Sequence, residues 1–270
     1  KKAIENLREL GETSVVLVPT VSKGINDHEL GEIIYFGRDN FDVIRGINFQ
    51  PLSFSGRASK EEIKNHRITI TDLVKLIERQ TNGEIGKEDF YPIPFVVPIS
   101  QLIESLKGNS MSHFTVHPQC GVATYVFLEN NKMIPITRFV DVEGLFEYVK
   151  ERNENMVNNG KIRKGIEIAK IIKNMNSYID KEKMPKDLNL LEITKGILNG
   201  GGKEFLAKLH RKSIFIGTMH FMDPFNFELD RVKRCAIHYA LPDGSIIPFC
   251  SYNSIHRDHL ECKFIKAIDE

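Results

Sequence analysis

Four cysteines, Cys120, Cys235, Cys250 and Cys262, are the side chains of this chain best suited to hold a soft metal. Cys235 and Cys250 flank a segment in which apolar and aromatic runs stand on either side of Pro242-Asp243-Gly244. Proline presets φ and glycine accepts positive φ, so the segment reads as a β-hairpin that brings the two sulfurs to paired strand ends. Thiolates hold zinc or iron–sulfur clusters. The spacing lacks the CxxC pairs of a zinc ribbon, whereas widely separated single ligands suit a buried cluster that the fold gathers. Cys262 sits among charges near the end, and His117, His238 or His256 are alternatives for its place. The plain structural alternative is four scattered thiols acting as small hydrophobes. Arg231 and Arg234 offer positive charge to a cluster or phosphate, or serve as surface arginines. Asp223 and Asp243 read as turn and cap residues. No Ser/His/Asp arrangement or meaningful carboxylate pair is visible.

The 270 residues allow one large or two ordinary domains, and a hydrophobic content of 41% supports a sizeable core. A net charge of +1 argues against nucleic-acid binding driven by bulk charge. No apolar run reaches membrane-spanning length and no signal peptide is visible, so the expected location is the cytoplasm, with peripheral membrane attachment open. Four cysteines are too few for a disulfide scaffold. The chain opens on Lys1-Lys2-Ala3-Ile4 in what reads as a helix, which points to the C-terminal part of a longer protein.

The elements that must position the cysteines follow from patterning. Residues 2–10 are amphipathic and end at Gly11. Ser14 to Pro19 is β-branched and apolar, as in a parallel strand buried on both faces. Asn26 or Asp27 is expected to cap a helix running to about Gly37. Val43 to Gln50 is the next strand. Helix, strand, helix, strand implies parallel pairing with right-handed crossovers, and ligands at the C-terminal strand ends. Those ends carry Val18, Pro19 and Thr20, then Asn48 and Gln50, and the following loop offers Ser55 and Arg57 to an anion. A helix is expected over 73–80, and an extended proline-rich crossing over 90–100, with Ser100 capping a short helix to Lys107. Beyond Gly108 come strands at 123–128, 133–136 and 213–219, and helices at 139–158 and 160–177. The glycines at 200–202, next to Lys203, favour a flexible loop over a phosphate cradle.

Several stretches resemble radical SAM enzymes. Val15 to Thr20 followed by Lys23-Gly24-Ile25-Asn26-Asp27-His28-Glu29 is similar to late strands of a radical SAM barrel. Asn48-Phe49-Gln50-Pro51, Asp89-Phe90-Tyr91-Pro92-Ile93-Pro94, His117-Pro118-Gln119-Cys120-Gly121 and His238 through Asn253 resemble an archaeal radical SAM subgroup that includes tetraether lipid synthase. The resemblance implies an α/β fold: the C-terminal half of a partial (β/α) barrel with parallel strands over 1–107, then an α+β iron–sulfur domain over 108–270. It implies an auxiliary [4Fe–4S] cluster on Cys120, Cys235 and Cys250, with Cys262 as fourth candidate. It also implies S-adenosyl-L-methionine at Val18, Pro19, Thr20, Asn48 and Gln50, and substrate at Ser55 and Arg57. The three-cysteine motif of the catalytic cluster is absent from these residues. The implied reaction joins terminal carbons of two isoprenoid ether-lipid chains, with those lipids, a membrane surface and an external electron donor as partners and no nucleic acid. The alternative is a radical SAM methylase acting on a pterin cofactor precursor. A non-catalytic metal-binding module is a third.

Overall fold

The computed structural model describes residues 2–11, 14–55, 58–108, 113, 115–156, 159–189, 196 and 210–265. The chain enters through α1 (Lys2–Leu10) and β1 (Val15–Leu17), followed by a two-residue strand β2 (Thr20–Val21). α2 (Leu30–Asp39) leads into β3 (Ile44–Pro51). β1 and β2 both pair parallel with β3, as the alternation of helix and strand predicts. The α/β class read from the sequence, with parallel strands at its centre, is the architecture observed.

Helices α3 (Lys60–His66) and α4 (Ile70–Gln80) follow, each started by a reciprocal capping box, Ser59 with Glu62 and Thr69 with Asp72. The sequence reading passes over α3, although Ser-x-x-Glu is a sufficient signal for its start. Asn26 and Asp27 do not cap α2. Their carboxamide and carboxylate instead accept from the amides of Ser22 and Gly24, tying the loop before that helix into turns. The proline-rich stretch also differs from the extended crossing expected. It holds a two-residue strand β4 (Tyr91–Pro92) and a 3₁₀ turn, then enters α5 (Val97–Lys107) with Pro98 in the first turn. Proline suits that position because its missing N–H has no intrahelical partner to lose. Ser100 therefore lies inside α5 rather than at its start.

β5 (Gly121–Glu129) and β6 (Lys132–Pro135) form a hairpin through Asn130 and Asn131, both at positive φ. α6 (Val142–Met156) and α7 (Lys161–Met175) pack with α5 around Leu102, Val149, Met156 and Ile171. The isoleucine stripe of α7 is only partly used, since Ile162 and Ile166 face solvent. β7 (Ser213–Met219) then runs parallel to β3 and antiparallel to β5. The main sheet has the order β1-β3-β7-β5-β4, with β2 beside β3 and β6 beside β5. One sheet thus spans the division drawn at residue 108, with β7 inserted between strands from either side of it.

The main core lies between one face of this sheet and helices α2 and α4. It holds Leu30, Ile34, Ile47, Phe49, Leu73, Ile77 and Ile216, all essentially fully buried. The expectation that the first strand is buried on both faces is corrected: Val16 and Val18 are each about half exposed. β1 is the edge of the sheet. No helix of the described residues is long and apolar enough to cross a membrane.

Candidate functional site

The site is built where β3 and β7, running in the same direction, reach their C-terminal ends. The two exits are tied together by side chains. Ser53 Oγ donates to the Phe221 carbonyl at 2.9 Å, and the Phe54 amide donates to Asp223 at 2.9 Å. Asp223 is buried and also accepts from Arg67 Nη2, at 2.9 and 3.0 Å, and from the Phe225 amide at 3.0 Å. Its own amide donates to Asn226 Oδ1 at 2.7 Å. Asp223 is thus the turn residue its Asp-Pro context predicts, and also the clamp between two loops.

β5 delivers Cys120. The His220 amide, one residue past β7, donates to the Cys120 carbonyl at 2.9 Å. Gly121 follows Cys120, and there an added Cβ would stand 2.6 Å from the Thr218 carbonyl and 2.8 Å from Ile93. Glycine at this position lets the strand press against β7, and that approach places Cys120 beside His220.

The cysteine hairpin forms as expected. β8 (His238–Ala240) pairs antiparallel with β9 (Ile246–Pro248), and Phe249 N–H donates to the Ile237 carbonyl at 2.9 Å. Gly244 takes φ 82°, which glycine alone adopts without steric cost. Asp243 accepts from the Ser245 amide and hydroxyl and from Lys263 on α9 (Arg257–Ile265). These partners, the Ser245 hydroxyl foremost, hold its carboxyl down to about 2. Aromatic rings dock the open end of the hairpin: Phe249 lies 4.8 Å from Phe221 and 5.2 Å from Tyr239, ring centre to ring centre.

Docking puts Cys250 against the β7 exit. Its buried sulfur accepts the Met222 amide at 3.3 Å. Burial pushes the Cys250 thiol up. The nearby Cys235 and Cys120 thiols add to this, while the Met222 amide and Arg231 oppose it. The half-buried Cys235 thiol donates to the Ile237 carbonyl at 3.0 Å. Three of the four predicted ligands therefore share one electrostatic neighbourhood. Cys262 is exposed on α9 and is not among the thiols that act on Cys250. Among the described residues no three His, Cys, Asp or Glu side chains gather closely enough to share a single ion. A four-iron cluster asks for something else, because each thiolate binds its own iron and the sulfurs stand apart around a wider body. A buried sulfur receiving a main-chain amide, with two more thiols nearby, fits that donor set.

Arg231, on the short helix α8 (Leu229–Lys233), is 95% buried in this neighbourhood, with relative exposure of 5%. Its Nη2 donates to the His220 carbonyl at 2.6 Å, while its buried Nε has no hydrogen-bond partner. Burial, with Arg231 and Arg67 adding to it, pushes His220 down to about 4, so the imidazole is neutral at pH 7.

The other predicted residues lie on the sheet and its exits. Asn48 and Gln50 are half-buried and, by strand alternation, share one face of β3. Their side-chain amides have no hydrogen-bond partner among the described residues. Asn48 lies beside Gly217 of β7, where an added Cβ would come within 3.4 Å of its Oδ1. Val18 is exposed. The carbonyls of Pro19 and Thr20 are taken by the Gln50 amide and the Asn26 side chain. Ser55 is exposed on the loop after β3, and Arg57, like Lys203, lies outside the described residues. Sequence reasoning missed His220, the Met222 amide and the Arg67–Asp223 clamp. The only sequence signal for any of them was Asp223-Pro224.

No family model matches the sequence. A 7,8-dihydro-6-hydroxymethylpterin dimethyltransferase of Methanocaldococcus jannaschii is 48% identical over 273 residues, an alignment that takes in the whole of this chain and 54% of that protein. The chain spans about half the length of the curated relative it matches. This finding corrects the expected function. A relative named for dimethylating a pterin overturns the reading of carbon–carbon coupling between isoprenoid chains, and the ether-lipid partners fall with it. The pterin methylase kept as the alternative is the better match.

Proposed function

We propose that this chain is part of a radical SAM methyltransferase that acts on a pterin. The observation that carries the reading is that the β7 exit engages two cysteines, the Met222 amide donating to the Cys250 sulfur and the His220 amide to the Cys120 carbonyl. The 48% identity to a pterin dimethyltransferase supports the substrate class.

In this reading an auxiliary [4Fe–4S] cluster is held by Cys120, Cys235 and Cys250, and S-adenosyl-L-methionine by Val18, Pro19, Thr20, Asn48 and Gln50. Bound together in the whole enzyme, the clusters and S-adenosyl-L-methionine supply electrons, methyl groups and a carbon-centred radical. This chain's residues do the rest. The Asp223 clamp joins the exits of β3 and β7, and the Phe221–Phe249 ring contact seats the cysteine hairpin on them. The Met222 amide directs a hydrogen at the Cys250 sulfur, a contact that favours the thiolate over the thiol. Asn48 and Gln50 present donors and acceptors with no competing partner among the described residues, as a polar heterocycle requires for orientation. Ser55 stands on the loop that leaves β3, at the rim of the same strand end.

The test is iron and sulfide content with Mössbauer spectra on the anaerobically purified full-length protein and its Cys235→Ala variant. Loss of one four-iron cluster in the variant, with the remaining iron intact, is the expected result. Unchanged iron, or zinc at the hairpin, defeats the assignment. Methyl transfer to 7,8-dihydro-6-hydroxymethylpterin by the intact protein, followed by mass spectrometry, tests the substrate class separately.

A further inference from the structure

We infer that Arg231 is the internal counter-charge of the cysteine centre, setting how readily that centre takes up an electron. The inference rests on the cluster reading above and adds a residue to it.

A guanidinium buried to 95% is costly unless something compensates its charge. Among the described residues Arg231 makes no salt bridge. The one hydrogen bond of its guanidinium among those residues is to a neutral acceptor, the His220 carbonyl at 2.6 Å, and its buried Nε–H has no acceptor there. The other charged groups near His220 are already committed, since Arg67 and Asp223 are paired with each other. The anchor of Arg231, the His220 carbonyl, stands two residues before Met222, whose amide donates to the Cys250 sulfur at 3.3 Å. Its carbonyl anchor links it to the second ligand too, because the His220 amide donates to the Cys120 carbonyl. The buried cation is thus tied through one stretch of main chain, 220–222, to the positions of two of the cysteines.

Among the described residues the site's one other anion, Asp223, is paired with Arg67, which leaves the thiols to balance this charge. Three thiolates around an iron–sulfur core carry net negative charge, which grows by one on reduction. A fixed cation in a low-dielectric site stabilises the more negative, reduced form. Arg231 is therefore a positioning residue that acts through its charge. Arg234, by contrast, spends its Nε on the Thr115 carbonyl at the surface and is exposed.

The test uses the anaerobic full-length protein, wild type, Arg231→Gln and Arg231→Lys, with Cys250→Ala as the reference for cluster loss. Iron and sulfide content and the midpoint potential from an EPR-monitored redox titration are read, not turnover. The expected result is a lower potential for the one signal that Cys250→Ala abolishes, in Arg231→Gln, with recovery toward wild type in Arg231→Lys. If Arg231→Gln fails to hold iron at this site, retention by Arg231→Lys supports the inference and loss in both overturns it. An unmoved potential in Arg231→Gln overturns it, as does an equal shift in both variants, which marks a packing role. Undiminished iron in Cys250→Ala overturns the cluster reading itself and the inference with it.

Discussion

The Met222 main-chain amide points its hydrogen at the sulfur of Cys250, 3.3 Å away, across the seam between the β7 exit and the cysteine hairpin. Met222 has no metal-binding chemistry that a sequence scan would flag here, yet its backbone partners the most buried thiol of the chain. The arrangement separates the four cysteines by role. Cys250→Ala is expected to lose the iron of the auxiliary site, and Cys262→Ala to keep it, because Cys250 is buried against the β7 exit whereas Cys262 is exposed on α9. Iron per chain after anaerobic desalting distinguishes them. Equal loss in both variants would place Cys262 in the site.

Asp223 joins two loops with four accepted hydrogen bonds from three donors. Asp223→Ala leaves the Phe54 and Phe225 amides and a largely buried Arg67 without their acceptor. The expected loss of stability is about 3–5 kcal/mol, the range for removing one partner of a buried charged pair. Urea unfolding of the variant measures it, and a loss under about 0.5 kcal/mol would show that the clamp does not hold the loops.

Gly121→Ala puts a methyl group 2.6 Å from a backbone oxygen of β7, where no flexible side chain can move aside. The strand must shift, at a cost of about 1–3 kcal/mol, and Cys120 moves with it. We expect both a lower melting temperature and weaker retention of the auxiliary iron. A variant with normal melting and normal iron would refute the close-approach argument.

Asp243 titrates at about 2 because the Ser245 hydroxyl, Lys263 and the Ser245 amide favour its charged form. Its folded value lies below that of an unfolded aspartate, so its contribution to the hairpin is present above about pH 4. That contribution fades as pH falls toward 2. Ser245→Ala should raise the Asp243 titration most and Lys263→Ala less, as read from carboxyl carbon shifts in NMR. An ordinary aspartate titration in the wild type would remove the turn network from the account.

Much of this was legible in advance where one signal dominated. Pro242-Asp243-Gly244 between two apolar runs placed the hairpin, and with it the approach of Cys235 and Cys250. Alternating helix and strand gave the parallel pairing of β1 with β3. The burial of β1 was misjudged because an apolar β-branched run looks alike in a central strand and at an edge. The end of α5 at Lys107 was read as it stands, but its start was set late because three prolines read as extended chain, although proline is equally at home in a first helical turn. The insertion of β7 beside β3 left no local trace, since strand neighbours far apart in sequence are chosen by the sheet as a whole. For the same reason the buried Arg231 could only be posed as a cation near the cysteines, with a surface arginine as its equal.

The sheet order β1-β3-β7-β5-β4 also sets a timetable for the ribosome. β3 ends at Pro51, but the strand that completes its open side begins only at Ser213. At roughly 5–20 residues per second, synthesis of the intervening chain takes on the order of ten seconds or more. Throughout that interval β3 has an unsatisfied edge, a feature that invites pairing with another chain. Cys120 is already made by then, whereas Cys235 and Cys250 follow β7. The thiols can therefore meet only after β7 has been made, so iron delivered to this corner must arrive once the strands of the main sheet are all synthesised.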